Sequence, residues 1–243
     1  MTGRSLRLSR RNVDALITAL ALPVLLLLIF VYFFGGAIDT GTSSRYVTYV
    51  VPGVLLLCAG FGSAGTAVAV TEDLKGGIID RFRSLDVSGT AILTGHVLAS
   101  VARNLLATAL VLALAFAIGF RPAATPAGWP AAIGLLVAFV LALSWLSAAV
   151  GLLARSAEAA NGYTFFVSFL PYPSSAFVPT DSMPAWLAAF SDHQPVTAVI
   201  DSLRALLLGQ PAGATPWLAL AWCLGILAGS MGLAGVLFRR RVG

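Results

Sequence analysis

Charge is what this chain has least of. Of its 243 residues 10% are Asp, Glu, Lys or Arg and 58% are hydrophobic, and the mean hydropathy is +0.92. Soluble globular domains carry about 25% charge, so that class is excluded. Lysine is scarcer still, with Lys75 the sole one. A phosphate-binding loop ends in Gly-Lys-Ser/Thr because its lysine must reach the nucleotide phosphates. Lys75 stands between Leu74 and Gly76, so the chain has no such loop, and nucleotide energy must come from another polypeptide.

Histidine is limited to His96 and His193, which fall at a membrane edge and in a loop. A serine nucleophile needs a base within hydrogen-bond reach, so the GFGSAG stretch around Ser63 reads as small residues packing one helix on another. The cysteines, Cys58 and Cys223, both lie inside long apolar runs, which excludes a disulfide framework and a metal-ligand cluster. Carboxylates and histidines are missing from the middle of those runs, whereas ion-driven carriers keep them there. Asp14 stands at the entrance of the first run and Arg103 near one end of the third. A path lined this way suits a hydrophobic or amphiphilic compound better than an ion. No basic stripe with interleaved aromatics occurs, so nucleic acid is not an expected partner. No catalytic, metal or cofactor-binding residue is assigned.

What the chain does have is length in its apolar runs. A helix needs roughly 20 apolar residues to cross a hydrocarbon core about 30 Å thick. Six runs are read as spans: Ala15 to Phe34, Tyr49 to Val70, Val97 to Phe120, Ala131 to Leu153, Gly162 to Phe177 and Trp217 to Phe238. The expected fold is an all-α integral membrane protein, one transmembrane domain over residues 1–243. The fifth run carries Pro171 and Pro173, and proline removes a helix hydrogen bond, so a broken or re-entrant helix is expected there. Gly225 and Gly229 form a GxxxG pair in the sixth, suited to packing within the chain or across a dimer.

Basic residues are distributed unevenly. Arg4, Arg7, Arg10 and Arg11, then Lys75, Arg81 and Arg83, then Arg155, then Arg239, Arg240 and Arg241 share one side of the six-span topology; Arg45, Arg121 and Arg204 take the other. The positive-inside bias places both termini in the cytoplasm. The sequence pI of 9.8 then reflects topology and anionic headgroups. The first run is too long for a signal-peptide core and is read as a retained span. Residues 1–14, with Arg4, Arg7 and Arg11 opposite Leu6 and Val13, read as an interfacial helix.

One polar stretch interrupts the apolar pattern, Thr71 to Asp86 (TEDLKGGIIDRFRSLD). Leu74, Ile78, Phe82 and Leu85 recur at helical spacing, with Glu72, Asp73, Lys75, Asp80, Arg81 and Arg83 mostly off that stripe. The pattern predicts a helix lying on the membrane surface. Glu72 and Asp73 would favour its N-terminus, and Arg81 and Arg83 its end.

The stretch EDLKGGIIDRFRSLDVSGTAILTGHVLA (72–99) resembles the cytoplasmic loop of type-2 ABC exporter permeases of the daunorubicin-resistance-like branch. In that loop Asp86 departs from the proline that relatives commonly have after Ser-Leu, and FVPTDSMPAWLAAFSDHQPVTAVIDSLRALLLG (177–209) is similar to the family's outside segment. The resemblance implies a plasma-membrane permease subunit that dimerises and docks cytosolic ATP-binding subunits, which carry the ATP-Mg. It implies that residues 71–96 form the coupling loop, with Glu72, Asp73, Lys75, Gly76, Asp80, Arg81, Phe82 and Arg83 on it. It also implies a helical cap over residues 178–216, with Pro184, Trp186, Pro195, Asp201 and Arg204 at a candidate gate.

In that cap Val196, Val199, Ile200, Leu203 and Leu207 make one apolar face. Asp201 and Arg204 are spaced to pair at i,i+3, and an exposed pair of this kind contributes under about 1 kcal/mol. The expected function is outward movement of a drug, secondary metabolite or lipid. The alternatives are a polysaccharide or glycolipid exporter permease, and a non-transporting scaffold or sensor subunit.

Overall fold

The computed structural model describes residues 13–37, 46–76 and 89–242. The predicted interfacial helix over 1–14 falls almost wholly outside the described residues. Arg45 and the Gly77 to Ser88 part of the coupling segment, with Asp80, Arg81, Phe82 and Arg83, lie outside them as well. The described residues are helical, with no strand among them.

Eight α-helices are described in chain order: α1 (Val13–Ile29, continued by a π-helical turn, Phe30–Phe34), α2 (Tyr46–Lys75), α3 (Gly89–Ala117), α4 (Gly128–Leu153), α5 (Ala157–Phe169), α6 (Ala185–His193), α7 (Pro195–Leu208) and α8 (Thr215–Val242). Among the described residues four of them, α2, α3, α4 and α8, are long and apolar enough to cross a membrane; the Leu20–Phe34 part of α1 is shorter.

Helix α2 is the central pillar, packed by α1, α3, α4, α5 and α7. It is buried on every side from Tyr46 through Gly60, which is why its sequence is apolar all round. Two thirds of its apolar window (67%) is covered by protein, against 17% for α8, which lies outermost against α4 and α7. Close approach needs small residues, since lipid supplies no hydrophobic drive between helices. A side chain at Gly53 would begin 2.6 Å from Ala176 Cβ, and one at Gly62 would collide with the Asn104 carboxamide.

Behind Gly62, polar groups join α3 to α4. Ser144 Oγ donates to Ser100 Oγ at 3.0 Å, and Asn104 Nδ2 donates to the Ser100 carbonyl at 3.1 Å. Ser63 spends its hydroxyl on the Ala59 and Gly60 carbonyls of its own helix, at 2.8 and 2.9 Å. The GFGSAG stretch is therefore a packing element.

The predicted fifth span is shorter than expected. Helix α5 begins at Ala157, where Ser156 Oγ accepts the Ala159 N–H at 3.1 Å, and ends at Phe169. Turns follow through Phe177. Pro171 and Pro173 lack the N–H a helix would need, so the chain breaks there as expected.

A second difference concerns Thr71 to Lys75. They are not the start of a surface helix but the last turn of α2, which runs on past Val70 until Gly76 and Gly77 remove the incentive to continue. Likewise Gly89 to His96 form the first turns of α3 and not loop. Glu72 and Asp73 thus occupy a helix C-terminus, the end the macrodipole makes unfavourable for acids.

Candidate functional sites at the two ends of the bundle

At the α2–α3 end, helix α2 is pinned before the coupling segment begins. Thr71 Oγ1 lies 2.9 Å from the Gly151 carbonyl of α4. Asp73 Oδ2 lies 2.9 Å from His96 Nε2 of α3, so one polar contact closes the base of the segment that leaves α2 and returns in α3. That contact offsets the unfavourable position of Asp73 and was not read from the sequence, although an acid and a histidine bracketing the segment were visible there. Glu72, Lys75 and Gly76 are exposed. The Glu158 carboxyl, at the start of α5, is held below the ordinary carboxylate range by its own backbone N–H, then by the Ser156 hydroxyl and the Lys75 charge. Of the predicted coupling residues, those described present charge at one end of the bundle.

At the other end the predicted Asp201–Arg204 pair exists, with Arg204 Nη1 2.7 Å from Asp201 Oδ1, but it is not the exposed pair expected. The Arg204 side chain is 12% exposed and that of Asp201 42%, so the guanidinium is enclosed while the carboxylate still reaches the surface. Arg204 donates to the Ser175 carbonyl at 2.5 Å and to the Tyr49 carbonyl at 3.3 Å, and its guanidinium lies 3.9 Å from the centre of the Tyr49 ring. Ser175 Oγ donates to Asp201 Oδ1 at 2.6 Å. One guanidinium thereby joins α2, the turns after α5, and α7. Tyr49 and Ser175 are functional candidates that sequence spacing does not suggest, because they lie 155 and 29 positions from Arg204.

Around this node the turns after α5 are held on both flanks. Tyr46 Oη donates to the Phe177 carbonyl at 2.8 Å, and Phe30 stacks on Phe177 with centroids 4.1 Å apart. The Pro173 carbonyl accepts from Ser191 Oγ at 2.8 Å and from the Gln194 carboxamide. Pro195 opens α7 at its first turn and Pro184 precedes α6, positions where the missing N–H costs nothing. Trp186 stands 74% exposed on α6, away from the node. The predicted apolar face of α7, Val196, Val199, Ile200, Leu203 and Leu207, is buried throughout. Helix α7 packs on α2, α4 and α8, so the cap helix is part of the core.

Gly225 and Gly229 meet nothing within 4 Å of an added Cβ. Among the described residues they therefore pack against nothing within the chain. Among the described residues no cluster of three His, Cys, Asp or Glu is placed to hold a metal ion.

A helical bundle with four long apolar helices among its described residues is that of a multi-pass membrane protein. Residues 1–208 match the ABC-2 type transporter family, and the chain belongs to it. It is 30% identical over 227 residues to the daunorubicin resistance ABC transporter permease protein DrrB1 of Streptomyces coeruleorubidus, covering 93% of this chain and 80% of that one. It is 26% identical over 225 residues to the probable doxorubicin resistance ABC transporter permease protein DrrC of Mycobacterium tuberculosis, covering 93% of this chain and 82% of the relative.

Proposed function

We propose that this chain is the membrane subunit of an ATP-driven exporter that moves a hydrophobic or amphiphilic compound outward across the plasma membrane. The observation that carries this reading is the match, over 93% of the chain, to a permease named for daunorubicin resistance. The apolar character of the long helices supports it, since an ion carrier would keep acids at their centres. In this reading the chain crosses the membrane six times. The α1 and α5 segments supply the two crossings beyond the four long helices, and α5 is completed by the turns after Phe169. Both termini face the cytoplasm, in keeping with the uneven distribution of Arg and Lys.

The chain performs no catalysis. ATP-Mg is held by a separate cytosolic ATP-binding subunit, which docks on the segment between α2 and α3, and Asp80, Arg81, Phe82 and Arg83 supply the contact together with Glu72, Asp73, Lys75 and Gly76. A second copy of the chain completes the permease, and the open Gly225 and Gly229 face of α8 is one surface through which copies can pack. Substrate moves because two states of the bundle differ in affinity for it. The Arg204 node is the outer gate: it holds the turns after α5 against α7 until the partner, on binding ATP, shifts the helices beneath.

The test is purification of the tagged chain from its native membranes, as wild type and as the Arg81→Ala/Arg83→Ala variant. An ATP-binding protein retained by wild type and lost by the variant is the expected result. Retention by both would remove the coupling assignment. No ATP-binding protein with either, from well-folded preparations, would favour the scaffold alternative.

A further inference from the structure

Arg103 stands at the middle of α3, fourteen residues from each end of Gly89–Ala117, or about 21 Å of helix either way. It is half-buried, and among the described residues it has no hydrogen bond and no ion pair. The acids with described side chains are placed elsewhere. Asp73 is engaged by His96 and Asp201 by Arg204, Glu72 and Glu158 lie at helix ends, and Asp181 and Asp192 belong to the segment around α6. A guanidinium stays charged at any relevant pH, so at this depth it needs an anion that the described chain does not provide.

Its position says where the anion comes from. Arg103 is seven residues beyond His96, two turns along the same face and about 10 Å further into the bundle. Its neighbours at i+3 and i+7 are Leu106 and Leu110, which are 51% and 49% exposed. On its other flank Ser100 at i−3 and Ala107 at i+4 are buried, so Arg103 stands at the seam between the packed side of α3 and its exposed apolar side. A long arginine stem can run back along such a surface toward the headgroups.

We propose that Arg103 binds the phosphate of an anionic phospholipid seated against α3, in the leaflet nearer the Asp73–His96 contact. Two parallel N–H donors of the guanidinium meet two phosphate oxygens, a geometry that ammonium does not match. Calling that leaflet the inner one rests on the orientation proposed above; the binding does not. An anionic cargo would use the same chemistry, but a lipid is always present in the membrane and meets the site without a partner or ATP.

The experiment reconstitutes the chain alone in nanodiscs of equal phosphatidylglycerol and phosphatidylcholine and counts retained lipids by native mass spectrometry. Wild type is expected to retain phosphatidylglycerol in excess, Arg103→Gln to lose about fivefold of that excess, and Arg103→Lys to keep part of it. Arg121→Gln, with its guanidinium on the Phe116 and Phe120 carbonyls, serves as the control and keeps the wild-type excess. To separate lipid binding from folding, the wild-type melting temperature is also compared in phosphatidylglycerol and in phosphatidylcholine. A higher value in phosphatidylglycerol that Arg103→Lys diminishes supports the site. Equal phosphatidylglycerol excess in wild type and Arg103→Gln, or no excess in wild type, overturns it. Neither result bears on ATP-driven export, since no partner is in the disc.

Discussion

The two ends of the bundle are built on opposite plans. At one end a single guanidinium on Arg204 joins three chain elements through a carboxylate, two carbonyls and an aromatic face. At the other, among the described residues, the Asp73–His96 contact joins α2 to α3 at the base of the loop, and Glu72 and Lys75 are exposed. Buried, mutually satisfied polar groups hold one arrangement, because breaking any one leaves the rest unpaired. Exposed charges hold nothing by themselves and remain available to a soluble partner. On the proposed function, the gate end is cross-linked inside the chain, and the coupling end is left for another protein to complete.

Several changes would break or sharpen that contrast. The largest effect is expected from Arg204→Ala, which takes the donor from the Tyr49 and Ser175 carbonyls and leaves the part-exposed Asp201 carboxylate to water. Its cost is about 2 to 4 kcal/mol, mostly from the two carbonyls, read as a fall in thermal midpoint in detergent, and Arg204→Lys recovers only part because ammonium cannot serve all three acceptors. An Arg204→Ala midpoint within error of wild type would show that the node is ornamental. Tyr49→Leu is next, losing a cation–π contact of about 1 to 2 kcal/mol with the carbonyl contact kept.

At the opposite end Asp73→Asn should cost no more than about 1 kcal/mol, since a single part-buried contact is weakened and an amide can still hydrogen-bond His96, while changing the loop base. A cost matching Arg204→Ala would erase the difference between the ends. The smallest effect concerns Glu158. Its carboxyl is depressed in the folded chain, so its stabilising contribution is present above the ordinary carboxylate range and is lost as pH falls through the depressed value. Ser156→Ala should raise the Glu158 titration, measured by NMR, and weaken the α5 cap by about 1 kcal/mol; an unmoved titration would leave the hydroxyl without its role.

Much of this was legible in the sequence, for physical reasons that can be named. Apolar run length alone indicates helices that cross lipid, and Pro171 with Pro173 marked the break after Phe169. The apolar face of α7 was readable from its spacing because i,i+3 and i,i+4 neighbours must share a side. The Asp201–Arg204 pair was readable on the same ground.

Its burial was not, since the groups that enclose it, Tyr49 and Ser175, come from distant chain positions that local periodicity does not reach. Nor did the pattern show where helices stop. Charge at Glu72 and Asp73 suggested a new surface helix, whereas α2 continues through them because nothing before Gly76 opposes it. The GxxxG pair is a further instance, since a motif that permits close packing does not say against what.

On the proposed function, opening at the Arg204 end is required for work delivered at the opposite end. Cys58 and Cys223 are both buried, so a Ser175→Cys/Asp201→Cys chain can be cross-linked between the turns and α7 with little competition. The measurement is ATP-dependent uptake of doxorubicin into inside-out vesicles holding this variant and its ATP-binding partner, oxidised and then reduced. The predicted result is an oxidised permease that keeps its partner but takes up no drug and recovers on reduction. Equal uptake in both states, with the cross-link verified, would contradict the gate and with it the division of labour between the two ends.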